Sequence, residues 1–90
     1  MIRIYSEPLY ALSVEGKTDS SGLSRCEVLA EDRPPKNKGD PQRIKVVFYG
    51  KEAESAAKML SDGSQFSFRG VLASDAEGQL VAIGKTIAVS

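Results

Sequence analysis

The chain has no histidine, no tryptophan and a single cysteine, Cys26. Without histidine, and with one isolated thiol, no nucleophile–base couple of a recognisable kind can be drawn. The same absences exclude a cysteine–histidine zinc set, and the carboxylates form no spaced ligand set. No catalytic residue, cofactor or metal is therefore expected. One cysteine makes no internal disulfide, which fits a reducing compartment. Its place inside an apolar strand suits a small buried hydrophobe. No stretch approaches the roughly 20 apolar residues of a membrane helix. The opening residues, Met1 to Glu7, lack the apolar run of a signal peptide. The expected location is cytoplasmic, with no membrane partner. Net charge is missing too: 12 basic residues face 12 acidic ones. No global field draws in a polyanion, so binding to nucleic acid would need a local patch, or several copies of one in an oligomer.

What is present is ordinary globular material, 90 residues with 41% apolar and 27% charged. This suits one domain over residues 1–90. Ile2 and Ile4 alternate with Arg3 and Tyr5, Pro8 interrupts, and Tyr10, Leu12 and Val14 resume the pattern. The spacing predicts a broken or bulged first strand over 2–15. Lys17 to Gly22 is a polar turn segment, and 23–31 reads as a second strand. Asp32 to Gln42, DRPPKNKGDPQ, is too rich in proline and glycine for a strand interior or a helix. It predicts a flexible hairpin arm over 32–42, carrying Arg33, Lys36 and Lys38. A plain connector or a dimer contact accounts for the arm equally well.

Residues 43–49 are the clearest strand, with Ile44, Val46 and Phe48 on one side and Arg43, Lys45, Val47 and Tyr49 on the other. After Gly50 the pattern turns helical over 51–61. Ala53, Ala56, Ala57 and Leu60 share a face, and Asp62-Gly63 suits a glycine cap. Strands follow over 64–72 and 79–89, joined by a tight turn at 74–78. Phe48, Phe66 and Phe68 share the parity of the apolar face and are expected in the core. The stretch Gly78 to Thr86, GQLVAIGKT, has the wrong glycine spacing and too strand-like a character for a phosphate loop. An all-antiparallel sheet in this order tends to close and remove its edges. The expected fold class is all-β: a five-stranded OB-fold barrel, with one short helix between strands three and four plugging an open end.

The stretch Val46 to Leu72, VVFYGKEAESAAKMLSDGSQFSFRGVL, resembles the central signature of the bacterial single-stranded DNA-binding proteins. That family shows a strand ending in an aromatic, then Gly-Lys-x-Ala-Glu, a helix, a Leu-x-x-Gly-Ser turn, and a strand ending in Gly-x-Leu. Here these are Tyr49, Gly50-Lys51, Ala53-Glu54, Leu60, Gly63-Ser64 and Gly70 to Leu72. Pro8-Leu9 and Gly22 extend the similarity forward. The primosomal replication protein of the same fold is similar as well. The departures are specific. The family's stacking tryptophans have no counterpart, and Arg43 stands where one is common. The last hairpin is cut to ASDAEG, and the family's acidic-tipped tail has no counterpart in these residues.

The resemblance implies sequence-tolerant binding of single-stranded DNA, in replication, recombination or repair. Such binding needs cations that follow phosphates and flat groups that stack on bases. Arg43, Lys45 and Tyr49 share one side of their strand, with Lys51 just beyond. Arg69 has the outward parity on the next strand, and the arm adds Arg33, Lys36 and Lys38. The bland reading of the same residues is a solvated sheet face, with Tyr49 packed as a rim residue. A homo-oligomer, dimer or tetramer, is expected to pool such patches, with the edge of residues 2–6 as its seam. A second class of function is an adaptor barrel that binds protein and little or no nucleic acid. The residues do not separate DNA from RNA, which turns on 2′-OH contacts.

Overall fold

Pro8 splits the first strand in two. The computed structural model describes residues 2–5, 8–18, 20–32 and 42–89, the first four by backbone alone. Its elements are β1 (Ile2–Tyr5), β2 (Leu9–Thr18), β3 (Ser24–Asp32), β4 (Gln42–Tyr49), α1 (Lys51–Met59), β5 (Gln65–Ser74) and β6 (Leu80–Val89). β1 and β2 lie along the same neighbour: Ile2 to Tyr5 pair with Leu72 to Arg69, and Leu9 and Tyr10 pair with Phe66 and Gln65. They lie along β5 as two halves of one strand, and Pro8, which has no N–H to donate, stands outside the ladder just before the second half. Counted so, the sheet has five strands and a single helix between the third and fourth.

The ring runs β5–β2–β3–β4–β6 and closes where β6 pairs back on β5. Closure leaves the apolar faces of all five strands turned inward. The sheet is not wholly antiparallel as expected. β4 and β6 run parallel over Val46–Ala82, Val47–Ile83 and Phe48–Gly84. The chain crosses as α1 before β5 begins, so β6 returns beside β4 in the same direction. The GQLVAIGKT stretch runs into β6 and is strand from Leu80 onward.

The core is built on aromatics and β-branched residues, with Phe48, Phe66, Val28, Val46 and Cys26 its largest fully buried side chains. Phe68 joins them, its ring edge-on to Phe48 at 6.5 Å between centroids. Such T-shaped pairs add to the free energy of burial itself. Gly84 has no side chain because the Phe48 ring lies where a Cβ would stand. Burial pushes the Cys26 thiol up from its ordinary value, and the nearby charge of Glu27 adds to the shift. This is the behaviour of an inert core thiol.

The helix packs on β2, β3, β4 and β6. Ala53, Ala56 and Leu60 are buried as their spacing predicts, but Ala57 is exposed. It sits over the backbone of Gly16, at the barrel rim, where a Cβ on that glycine would lie 3.8 Å away. The helix also ends earlier than expected. Leu60 turns extended at φ −103°, ψ 141°, with its N–H still bonded to the Ala56 carbonyl. Gly63 is therefore not the cap residue but part of the following turn, where its N–H donates to the Ala11 carbonyl at 2.6 Å. The predicted arm also narrows, because Asp32 and Gln42 pair as the last residues of β3 and the first of β4. The remainder of that arm lies outside the described residues. Among the described residues, no helix is long and apolar enough to cross a membrane.

Candidate nucleic-acid interface

Alternation along β4 puts Arg43, Lys45, Val47 and Tyr49 on the outer face of the barrel wall. Register with β3 then places Glu31 opposite Arg43, Leu29 opposite Lys45, Glu27 opposite Val47 and Arg25 opposite Tyr49. On the far side of β3, Lys17 of β2 stands opposite Arg25, and Glu15 opposite Glu27. The face therefore mixes cations from three strands with carboxylates from two.

Two of the expected cations have carboxylate neighbours. Arg43 Nε lies 3.4 Å from Glu31 Oε2. Lys45 Nζ lies 3.4 Å from Glu27 Oε1, and Arg25 Nη2 lies at the same 3.4 Å from that oxygen. Lys17 Nζ donates a hydrogen bond of 2.8 Å to Glu27 Oε2 and reaches Glu15 at 3.5 Å. At 3.4 Å the Arg25, Arg43 and Lys45 contacts are ion pairs rather than good hydrogen bonds. Lys17, donating to Glu27, holds that carboxyl below its ordinary range, with the charges of Arg25 and Lys17 adding and burial opposing. The Lys17 ammonium is raised in turn, first by the Glu27 hydrogen bond and then by the charge of Glu15.

Tyr49 is 39% exposed, so its ring presents a face to solvent. The Arg25 guanidinium carbon lies 6.0 Å from the ring centroid, at the outer limit of a cation–π contact. Beside this pair is an open depression of about 410 Å³, within the size range of small-ligand sites. Its apolar floor is Val47, Val81 and Ile83; one rim is Arg25, Lys45 and Tyr49, and the other is the β5–β6 turn from Ser74 to Glu77. Val47 is thus outward by parity yet only 3% exposed. Asp75 fixes the turn, since its Oδ1 accepts the N–H groups of Glu77 and Gln79, each at 2.9 Å.

The structure brings together Lys45 and Tyr49, and places Arg43 on the same face of β4. Lys51 opens α1, exposed, just past the strand. Arg69 is exposed on β5, paired with Thr86 of β6 and outside the group lining the depression. Arg33, Lys36 and Lys38 lie outside the described residues. Lys17, Arg25 and the carboxylate Glu27 did not figure among the expected site residues. Their signal was in the sequence as alternation: Glu15 and Lys17 on β2, then Arg25 and Glu27 on β3, joined by a short turn that sets them opposite one another.

The ring order, its parallel closure between β4 and β6, and the helix between β4 and β5 define an OB-fold barrel. Solved structures agree. The chain is similar to the SSB domain of a protein from Synechococcus sp., at 16% identity and a TM-score of 0.81, over 97% of this chain and 93% of that one. It is also similar to the protein priB from Ralstonia solanacearum, at 16% identity and a TM-score of 0.75, over 100% of this chain and 99% of that one. No family model and no curated protein sequence matches it.

Proposed function

We propose that this barrel is a non-catalytic, sequence-tolerant binder of single-stranded DNA, acting through the outer face of β3 and β4 in replication, recombination or repair. One observation carries the reading: an exposed Tyr49 with Arg25 beside its ring and Lys45 on the same rim of an open depression with an apolar floor. A stacking surface with cations at its edge is the minimum such binding requires. The likeness in fold to an SSB domain, and the motif running from Tyr49 to Leu72, support the same choice. In this reading Tyr49 stacks on a base, Lys45 and Arg43 meet phosphates, and Lys51, Arg69 and the arm residues Arg33, Lys36 and Lys38 extend the track. Several copies share one strand in a dimer or tetramer, with the edge of residues 2–6 as the seam.

The test is fluorescence anisotropy with labelled oligo(dT), in low and in physiological salt, with duplex DNA and an RNA oligomer as competitors. Tyr49→Ala is expected to cost about 1–3 kcal/mol of binding, the worth of one base–aromatic stack. Unchanged affinity in that variant removes Tyr49 from the site. A second reading has one observation in its favour: the carboxylates Glu27 and Glu31 stand against Lys45 and Arg43, which weakens the field of the face. An adaptor barrel that binds protein needs no such field. Absence of oligo(dT) binding by a folded protein at low salt would select it.

A further inference from the structure

We propose that Lys17, Arg25 and Lys45 form one phosphate subsite built over Glu27, and that the Glu27 carboxylate holds the affinity of that subsite down. The subsite deepens the single-strand reading of this face and rests on it for its natural ligand, a phosphodiester.

Three adjacent strands each send a cation to a single carboxylate. Lys17 meets Glu27 Oε2 at 2.8 Å, while Arg25 and Lys45 both meet Oε1 at 3.4 Å. The carboxylate is the deepest member of the group. Its side chain is 14% exposed, against 48% for Lys17, 41% for Arg25 and 46% for Lys45. The cations therefore stand above it and face solvent. One carboxylate cannot neutralise three cations; among the described residues Glu15 also pairs with Lys17, at 3.5 Å, and Asp75 and Glu77 stand across the depression from Arg25 and Lys45. Positive charge is left over on the solvent side.

A phosphodiester answers that arrangement. Its charge is shared by two oxygens, which can accept from an ammonium and a guanidinium at once. It would arrive from solvent, above the cations, with Glu27 beneath. There Glu27 acts twice, with opposite signs. It gathers the three cations before the ligand arrives, which spares the ligand the cost of ordering them. It also repels the incoming anion. Glutamine separates the two effects: it keeps the size and an oxygen that accepts from Lys17, and it removes the charge. Depth decides where the repulsion acts, because a carboxylate under the cations is screened less by salt than an exposed one.

The experiment compares wild type, Glu27→Gln and Lys17→Gln in two arms: anisotropy with labelled oligo(dT), and amide chemical shifts on addition of pyrophosphate. In about 50 mM salt, Glu27→Gln is expected to bind oligo(dT) about threefold more tightly or better, and Lys17→Gln about threefold more weakly. Lys17 is half exposed and its loss leaves the core untouched, so Lys17→Gln carries the test should Glu27→Gln fail to fold. Wild type that binds oligo(dT) while neither variant departs from it overturns the subsite and leaves the proposed function standing. No oligo(dT) binding, with pyrophosphate shifts around Lys17, Arg25 and Lys45 that strengthen in Glu27→Gln, upholds the subsite and overturns the single-strand reading. No response in either arm overturns both.

Discussion

At the scale of the residue, the contact between Glu27 and Lys17 also ties stability to pH. Glu27 ionises below the ordinary 4.5, because Lys17 donates to it and nearby cations favour its charge. A depressed carboxylate binds fewer protons folded than unfolded. Its contribution is therefore complete above the unfolded value and is lost as pH falls through the folded one. Lys17 is raised above its ordinary 10.5 by the same contact. Its contribution is complete below that value and is lost as pH rises through the folded one. These are two ends of one interaction, not two interactions. Urea unfolding of wild type and Glu27→Gln at about pH 7 and about pH 3 should show a stability gap that narrows in acid. A gap that stays constant would mean that the charge of Glu27 contributes nothing to the fold. Lys17 was expected in the turn after the first strand, but β2 runs on to Thr18 and so carries Lys17 to the same face as Glu15. The contact between Lys17 and Glu27 was not legible, because it depends on a register that single-strand patterns leave open.

At the scale of the element, the entry to α1 depends on a glycine backbone. Gly50 has φ 64° and ψ −132°, a region that essentially only glycine occupies. There the chain leaves β4, and the Gly50 N–H donates to the Ser24 carbonyl at 2.9 Å, tying the turn to the start of β3. Any side chain at position 50 must strain or move that turn. Gly50→Ala is expected to lower stability by about 1–3 kcal/mol, read as a lower urea midpoint with an unchanged slope. Because Gly50 directly follows Tyr49, the same variant should also weaken oligo(dT) binding if ring placement matters. The glycine was visible in the Gly50-Lys51-x-Ala53-Glu54 motif, and Ala53 is buried at 2%, so that motif is largely one of packing and turn geometry. The element boundaries were less legible. Leu60 looks helical by spacing, yet it leaves the helix extended and is buried with the core. Tertiary burial there overrides the local period. The break at Pro8 was readable because a missing N–H is a property of the residue itself. The parallel β4–β6 closure was not, since no local pattern records how the chain crosses between them.

At the scale of the whole molecule, 12 positive and 12 negative charges give no net attraction for a polyanion, so binding strength has to come from the local face and from how many faces one strand reaches. The cations of the described face are Lys17, Arg25, Arg43 and Lys45, all close to Glu27 or Glu31. Were all four to meet phosphates, they would contribute about −2.8 to the slope of log affinity against log salt for one protomer, at about −0.7 per contact on single strands, with Lys51, Arg69 and the arm adding to it. Carboxylates that already act as counter-ions reduce the number of ions released, so on a short oligo(dT) that covers one protomer the slope lost on replacing these four cations with glutamine should be smaller than that. A longer oligo(dT) distinguishes the assemblies. In a dimer or tetramer with faces on one track, the slope steepens with length and the affinity rises by more than statistics allow, because the second face binds intramolecularly. In a monomer the slope per protein is independent of length, and extra length only adds sites. Sedimentation of the free protein, set beside the two slopes, decides the matter. An oligomer with a length-dependent slope supports the shared track. A monomer that binds tightly would show that one nearly neutral face suffices, and the case for pooling patches would fall.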